Sequence, residues 1–271
     1  MPDPEDLTPR SGRVRRARRL ADTAVRRRVG EFLVEGPQAV REALRRAGTV
    51  VEVFATRDAA AAHPEMAAAA RDAEVAWTEV DDEVVRSLTD TVNPQGLVAR
   101  CGLVTVGLEA VLAARPRLVV VCADVRDPGN AGTVLRCADA AGADAVVLAG
   151  HSVDPHNPKA VRASAGSLFH LPVVVEPDVA RCLDALRAAG LGVLAADGSG
   201  VDLYGPGVDD LLARPTAWLL GNEAWGLPDE VRALADHVVA VPIYGRAESL
   251  NLATAAAVCL YASARAHRTT T

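Results

Sequence analysis

Short apolar runs alternate with amphipathic or polar segments through the first hundred residues of the chain. The runs predict strands at 31–36, 50–56 and 73–80, and a turn followed by another strand within 93–104. Pro37 near the start and Gly48 at the end delimit a helix after the first strand. An alanine-rich stretch that is interrupted by Pro64, and a segment with acidic residues in its first turn at 81–90, predict further helices. The pattern indicates a compact α/β unit.

From Arg117 onward, nearly continuous apolar runs alternate regularly with helical periodicity. Such runs are typical of strands buried on both faces of a parallel sheet, and they lie at 118–124, 143–150, 171–176, 191–197, 216–221 and 237–243. Helices are predicted between them at 131–141, 178–189 and 228–235, and after the last of them at 250–265. We therefore predict an α/β protein with a smaller domain at 29–106 and a parallel-sheet domain at 117–271. A linker at 107–116 joins them, and a basic arm at 1–28 precedes them.

Composition limits the environment of the protein. Half of the 271 residues are apolar and only 3% are aromatic, so aliphatic side chains and alanine must build the core. Charged residues occupy the N-terminus, where a signal peptide would need an apolar stretch. No apolar run reaches the length that spans a bilayer. These features predict a cytoplasmic protein without a membrane partner.

Positive charge is concentrated near the N-terminus. The net charge is −6, yet residues 10–28 carry nine arginines and one aspartate, a local charge of +8 that leaves −14 for the rest. This segment is predicted to be an arginine-rich helix. A solvated helix face normally interleaves both signs of charge, so the one-sided composition favours contact with phosphates. The arginines concerned are Arg15, Arg16, Arg18, Arg19, Arg26, Arg27 and Arg28.

Cysteine and histidine usage argues against a metal site. None of the five cysteines falls in a CxxC pair, and their neighbours are apolar, which predicts buried, reduced thiols. His151 and His156 share a loop with neither a cysteine nor an HExxH partner. No metal cofactor is predicted.

Three polar loops follow predicted strands of the second domain. They are 124–142 (DVRDPGNAGTVLRCADAAG), 219–227 (LLGNEAWGL) and 241–251 (VPIYGRAESLN). Ligands of open α/β sheets bind outside the carboxyl ends of strands, so these loops are predicted to form a cofactor site. The phosphate-binding patterns GxGxxG and GxxxxGK[ST] are missing, which removes the usual cradles for NAD and ATP. Backbone donors beside Leu219, Leu220, Ile243 and Leu250 would instead suit flat adenine.

The same loops resemble the motifs of the SpoU (TrmH-like) branch of the SPOUT RNA methyltransferases. Asn130 and Arg136 match the first motif, NxxxxxR. The second, GxExxG, is matched by Gly221, Glu223 and Gly226, and the third by Pro242, Gly245, Ser249, Leu250 and Asn251. Upstream, 31–44 and 87–99 look like the family's RNA-binding accessory domain, which is related to a small ribosomal-protein fold. The arginine-rich start resembles the longer rRNA and antibiotic-resistance members.

The resemblance implies a fold, a cofactor and a reaction. The parallel-sheet domain would form a trefoil knot, and the protein would be a homodimer with its active site near the subunit interface. S-adenosylmethionine would lie in the knot and donate a methyl group to a ribose 2′-hydroxyl of RNA, with 23S rRNA as the favoured substrate. The residues implied in cofactor binding are Leu219, Leu220, Gly221, Asn222, Glu223, Val241, Ile243, Ser249, Leu250 and Asn251.

The resemblance also implies catalytic roles. Arg136 is the essential residue of the family, but a guanidinium with a pKa above about 12 rarely gives up its proton. Gripping a phosphate and stabilising the developing alkoxide are the roles that its chemistry favours. Asn130 would shape its loop or orient the ribose, and Glu223, Ser249 and Asn251 would organise the catalytic loops. Arg162 would contact RNA phosphate or form a surface ion pair.

Three alternatives stay open. The RNA could be tRNA, although tRNA-specific relatives often rely on short terminal extensions rather than an accessory domain. The chain could be a non-catalytic RNA-binding module, which the intact motif residues speak against. It could also be a small-molecule nucleotide enzyme with an ordinary doubly wound sheet, which leaves the basic segment unexplained.

Overall fold

The computed structural model describes residues 7–269, and its contacts divide the chain into two compact units. The first unit contains the residues up to Val104 together with His156–Phe169. The second contains Thr105–Pro155 and the residues from His170 onward. Residues 1–6 of the predicted basic arm lie outside the described part of the chain.

A four-stranded mixed sheet forms the centre of the first unit. Its strands are β1 (Glu31–Glu35), β2 (Val50–Thr56), β3 (Ala76–Val80) and β4 (Leu97–Gly102), in the order β1-β4-β2-β3. Strand β4 runs antiparallel to both β1 and β2, whereas β2 and β3 are parallel. The helices are α1 (Gly12–Arg18), α2 (Thr23–Val29), α3 (Pro37–Arg45), α4 (Arg57–Ala62), α5 (Pro64–Asp72) and α6 (Asp82–Leu88). The predicted α/β unit is confirmed.

The arginine-rich segment is not the single helix that we predicted over 10–28. Helix α1 is followed by a 3₁₀ turn at Arg19–Ala21, and the chain is extended at Asp22 before α2 begins. Asp22 caps α2 by accepting a hydrogen bond from the backbone of Val25. The guanidinium of Arg26 turns back to the carbonyl oxygens of Leu20 and Ala21, at 2.9 and 2.8 Å. The interruption between α1 and α2 is therefore stabilised by the helix cap at Asp22 and by the buried guanidinium of Arg26.

The first helix packs against its own unit. Val14, Ala17 and Leu20 are buried in a cluster with side chains of α6 and of the sheet. Burial of one apolar face of a helix is what holds it against a domain. The described part of the predicted arm is thus an integral element of the first unit.

Residues 156–169 also belong to the first unit, although we predicted 117–271 to be one domain. This segment contains helix α9 (Pro158–Ser164) and a 3₁₀ turn. The ring of Phe32 on β1 lies 4.6 Å from the ring of His156 and 6.3 Å from that of Phe169. The backbone N–H of Val104 donates to Nε2 of His156. These buried aromatic contacts explain why residues 156–169 belong to the first unit.

The second unit is built on a six-stranded sheet in which every pair of neighbouring strands is parallel. The order is β10-β8-β9-β5-β6-β7, with strands β5 (Leu118–Ala123), β6 (Ala145–Ala149), β7 (Val173–Glu176), β8 (Gly192–Asp202), β9 (Thr216–Leu220) and β10 (His237–Ala240). The helices are α7 (Leu108–Ala113), α8 (Pro128–Ala141), α10 (Val179–Ala188), α11 (Val208–Leu212), α12 (Asp229–Arg232) and α13 (Leu252–Thr269). The predicted parallel sheet is confirmed.

Three details of the second unit differ from the prediction. The residues assigned to a linker form α7, which buries Leu108 and Val111 in the core. Strand β8 continues through its glycines, where a Cβ on Gly200 would lie 2.4 Å from the carbonyl carbon of Val238. Strand β10 ends at Ala240 and α13 begins at Leu252, so 241–251 is an irregular loop. Within residues 7–269 no helix is long and apolar enough to cross a membrane.

Candidate functional site

The three motif-bearing loops leave the carboxyl ends of β5, β9 and β10. Because all strands of this sheet are parallel, those ends lie along one edge. Asn222, which follows β9, donates from Nδ2 to the carbonyl oxygen of Asp124 after β5, at 2.7 Å. The first and second loops are therefore joined directly.

Glu223 accepts three hydrogen bonds from the start of the first motif. The donors are the backbone N–H groups of Arg126 and Asp127, at 3.2 and 2.9 Å, and Nδ2 of Asn130, at 3.3 Å. Asp127 in turn caps α8 by accepting from the backbone of Asn130. A carboxylate at a helix N-terminus is also favoured by the helix dipole. Glu223 thus holds the turn that presents Asn130.

Asn251 connects the third motif to the same group. Its Nδ2 donates to Oδ1 of Asn130 at 3.0 Å. Its Oδ1 accepts from the backbone N–H groups of Ala253 and Thr254 and so caps α13. One hydrogen-bonded chain, Glu223–Asn130–Asn251, therefore links all three motifs.

Arg136 stands apart from this chain of hydrogen bonds. It lies on α8, six residues after Asn130, which corresponds to a rise of about 9 Å along the helix axis. Its side chain is exposed, and no hydrogen bond or ion pair joins it to the residues between 7 and 269. An exposed, unneutralised guanidinium is free to meet an anion.

The second motif is a tight bend that depends on glycine. The backbones of Asn222 and Gly226 exchange two hydrogen bonds, both at 2.9 Å. A Cβ on Gly221 would lie 2.4 Å from the carbonyl carbon of Gly226, so no other residue fits there without movement. The side chains of Leu219 and Leu220 are buried in the sheet rather than forming apolar walls. Only main-chain atoms of these two residues remain for a ligand.

The loop at 241–251 offers unused backbone groups. The C=O groups of residues 241–250, and the N–H groups of all of them except Pro242, make no hydrogen bonds with the described part of the chain. Ile243 and Leu250 expose more than a third of their surface, Val241 is half-buried, and Ser249 is exposed. A Cβ on Gly245 would meet open space. Free donors and acceptors between apolar side chains match the needs of an adenosyl group.

The predicted phosphate-binding arginines divide into three groups. Six are exposed without an ion pair to any described residue: Arg15, Arg16, Arg18, Arg19, Arg27 and Arg28. Arg26 is only 1% exposed and binds carbonyl oxygens of its own segment, so its prediction as an RNA contact is wrong. Arg162 pairs with Glu35 at 3.2 Å and Asp90 at 2.5 Å, which favours the ion-pair interpretation.

One pair near the site was missed from the sequence. The guanidinium carbon of Arg126 lies 5.6 Å from the ring centroid of Trp225, within the second motif. The sequence feature that could have pointed to this pair is Trp225 itself, an aromatic residue between Gly221 and Gly226 in a chain with few aromatic residues. The partner, 99 positions earlier, could not be read from local pattern.

Four of the five cysteines are buried, as their apolar neighbours predict. All five cysteines are free, and Cys101, Cys122, Cys182 and Cys259 are buried whereas Cys137 is half-buried. Burial raises the pKa of Cys122 to about 12. Among residues 7–269 no group of His, Cys, Asp or Glu is arranged to hold a metal ion.

Two family models match the chain. The SpoU rRNA Methylase family matches residues 117–261, and the MRM3-like substrate binding domain matches residues 12–99. The first match contains every motif residue of the site. The second includes α1, so the arginine-rich helix is part of the matched domain.

Several known methyltransferases are similar to this chain in sequence or in structure. The 23S rRNA (guanosine(2553)-2'-O)-methyltransferase RlmP of Bacillus subtilis is 34% identical over 236 residues, which are 87% of this chain and 89% of that protein. The AdoMet-bound rRNA methyltransferase of Sinorhizobium meliloti superposes with a TM-score of 0.81 at 30% identity, covering 96% and 97% of the two chains. The SpoU methyltransferase AviRb of Streptomyces viridochromogenes, solved with AdoMet, gives 0.80 at 31%, covering 96% and 100%.

Proposed function

The chain belongs to the SpoU rRNA methylase family, and on that basis we propose that it methylates a ribose 2′-hydroxyl of 23S rRNA with S-adenosylmethionine. The observation that carries the proposal is the hydrogen-bonded chain Glu223–Asn130–Asn251, which assembles all three motifs at one sheet edge. The substrate-binding domain match and the rRNA names of the relatives favour 23S rRNA over tRNA.

Main-chain atoms would hold S-adenosylmethionine. The free backbone groups of 241–250 and the tight bend at 221–226 suit the edge of adenine, and Ile243 and Leu250 would cover its faces. Ser249 would add a hydroxyl, and Asn222 and Glu223 would keep the bend in place. When bound, the cofactor supplies an electrophilic methyl group on its sulfonium.

Arg136 would act on the ribose. A 2′-oxygen becomes a nucleophile as it loses its proton, and the negative charge that develops needs a fixed positive partner. The unpaired guanidinium of Arg136 supplies that charge and can hold a neighbouring phosphate at the same time. We assign the proton on the 2′-oxygen to solvent water, because a guanidinium does not accept one.

Asn130, Glu223 and Asn251 would position the reactants. Their side chains already satisfy one another, so their geometry is set before substrate arrives. Holding two substrates in near-attack geometry contributes about 7–11 kcal/mol to catalysis. We propose that loss of any of the three disturbs this alignment.

The exposed arginines of α1, of the 3₁₀ turn that follows it and of α2 would bind RNA phosphates. Arg15, Arg16, Arg18, Arg19, Arg27 and Arg28 all lie within a segment of net positive charge. We assign substrate binding to the first unit, including 156–169, and methyl transfer to the second. Arg162 is neutralised within the first unit and would hold that unit together rather than bind RNA.

We further propose that the protein works as a homodimer in the cytoplasm and that its sheet domain is a trefoil knot. Two exposed aromatic side chains of the second unit that the cofactor would not cover support a subunit interface: Tyr244 and Tyr261. Static light scattering of the purified protein tests the dimer, and a monomer that is fully active would contradict it.

Ribosomal RNA as a substrate supports the cytoplasmic location.

The proposed reaction can be tested with unmodified RNA. Purified protein is incubated with methyl-labelled S-adenosylmethionine and either a 23S rRNA transcript or tRNA, and 2′-O-methyl positions are mapped. We expect label in a single position of the 23S transcript. Label in tRNA alone would establish the alternative substrate, and cofactor binding without transfer to either would identify a non-catalytic module.

A further inference from the structure

Trp225 is exposed in a position where an apolar ring needs an explanation. It exposes 55% of its surface, whereas Trp218 is fully buried and Trp77 is half-buried. The chain contains only nine Phe, Trp and Tyr residues in 271, so aromatic surface is scarce. An exposed tryptophan with one polar atom is typical of recognition surfaces.

The ring sits on a bend that is held at both ends. The backbone bonds between Asn222 and Gly226 close the bend, and Ala224 donates to Oδ1 of Asn222 at 2.8 Å. The polypeptide under Trp225 is therefore fixed before any ligand binds. On a fixed backbone an aromatic side chain has only two torsions to order, so it loses little entropy when it makes a contact.

Arg126 covers one face of the ring and links it to the catalytic group. Its guanidinium carbon lies 5.6 Å from the centroid of Trp225, which is a cation–π distance. Its backbone N–H donates to Glu223, the carboxylate that also binds Asn130. The aromatic ring and the cation thus lie beside the residues that position the reactants.

A shallow depression of about 470 Å³ adjoins Arg126. It is lined by Arg126, His151 and Val153 and is open to solvent. The backbone N–H of His151 donates to Oδ1 of Asp124, so the side of the depression formed by His151 is bonded to the loop that carries Arg126. A depression with an arginine at its edge suits a planar, electron-rich group that carries a nearby phosphate.

We propose that Trp225 and Arg126 form a stacking platform for one base of the substrate RNA, next to the ribose that is methylated. This inference rests on the proposed function of the site. Sequence-specific RNA recognition uses unstacked bases that lie on aromatic rings or guanidinium planes, and every base has a face that can stack. The platform holds the nucleotide in register for transfer, and the cationic edge of Arg126 meets its phosphate.

Three variants test the platform with the full-length protein. W225A removes the ring, W225F keeps an aromatic face, and Y204A removes an equally exposed ring that is outside the site. With the 23S transcript as substrate, we expect W225A to raise KM about 5- to 100-fold. W225F should raise KM less than about fivefold, and Y204A should leave it unchanged. The Kd for S-adenosylmethionine should stay within about twofold in all three.

Direct stacking can be read from tryptophan fluorescence. A single-stranded decauridylate should quench emission of the wild-type protein, and W225F should lose most of the quenching. R126A should lower the slope of log K against log salt for RNA binding by about 0.7, which corresponds to the loss of one phosphate contact. An unchanged KM in W225A would overturn the platform.

Two further outcomes would also overturn it. Loss of cofactor affinity in W225A would place the ring in the cofactor pocket, and dissociation of a dimer would place it in a subunit interface. Failure of the wild type to methylate RNA would instead refute the proposed function, so the two failures are distinguishable.

Discussion

Oδ1 of Asn130 accepts a hydrogen bond from Nδ2 of Asn251 at 3.0 Å, across 121 positions of the sequence. The same Asn130 donates from its own Nδ2 to Glu223. Both polar atoms of the Asn130 amide are therefore hydrogen-bonded, the oxygen as an acceptor and the nitrogen as a donor. The amide satisfies both neighbours at once, whereas the carboxylate of an aspartate could accept from Asn251 but could not donate to Glu223.

The two functions of Asn251 can be separated by substitution. N251D keeps an oxygen that caps α13, but it replaces the donor to Asn130 with a carboxylate oxygen that repels Oδ1 of Asn130. We expect methyl transfer to fall at least tenfold while the melting temperature stays nearly constant. N251A also loses the cap and should cost about 0.5–2 kcal/mol of stability. Activity of N251D equal to wild type would remove the amide pair from the mechanism.

Arg136 should be required for transfer but not for cofactor binding. R136A removes the unpaired cation that we assign to the developing alkoxide, and a loss of about 100- to 1,000-fold in kcat is expected. R136K should recover only part of this, because an ammonium cannot make two parallel hydrogen bonds. Calorimetry should show unchanged S-adenosylmethionine affinity. R71A is the matched control, because Arg71 on α5 is also exposed and has no ion pair to any described residue.

Local pattern predicted the strands well because each buried strand carries its own apolar signal. The parallel sheet of the second unit and its polar loops follow from such runs. The motif residues could be named because they resemble a family, whereas their contacts with one another could not be read from spacing.

What local pattern could not predict depends on distant partners. The assignment of 156–169 to the first unit rests on packing of His156 and Phe169 against Phe32, more than a hundred positions earlier. The neutralisation of Arg162 depends on Glu35 and Asp90 in the same way. The sequence predicts a linker where α7 lies, because a stretch of six residues does not reveal that other elements bury it.

The second motif should tolerate no side chain at its first glycine. A Cβ at Gly221 would approach the carbonyl carbon of Gly226 to 2.4 Å, so G221A must open the bend. We expect at least a tenfold loss of S-adenosylmethionine affinity, measured by calorimetry. G198A is the control, because a Cβ there meets nothing within 4 Å. Equal affinities in the two variants would show that the bend does not contact the cofactor.

Thiol reactivity should report the burial of the cysteines. Burial raises the pKa of Cys122, Cys182 and Cys259 to about 12, so these groups stay protonated thiols at pH 8 and are shielded from reagent. We expect a disulfide reagent to modify at most Cys137 in the native protein and all five thiols after denaturation. Reactivity should rise only as the pH approaches the raised pKa values. Rapid modification of several thiols at pH 8 would contradict this.

Two neighbouring arginines should behave in opposite ways. R26A leaves the carbonyl oxygens of Leu20 and Ala21 without their buried donor, which should cost about 1–3 kcal/mol and lower the melting temperature by several degrees. R27A removes an exposed guanidinium, so stability should be unchanged while RNA binding weakens. The slope of log K against log salt should fall by about 0.7–0.9 for R27A, because one fewer phosphate is neutralised. For R26A, measured at a temperature where it is folded, the slope should equal that of the wild type. A reduced slope in R26A with unchanged stability would mean that its side chain leaves the protein interior to bind RNA.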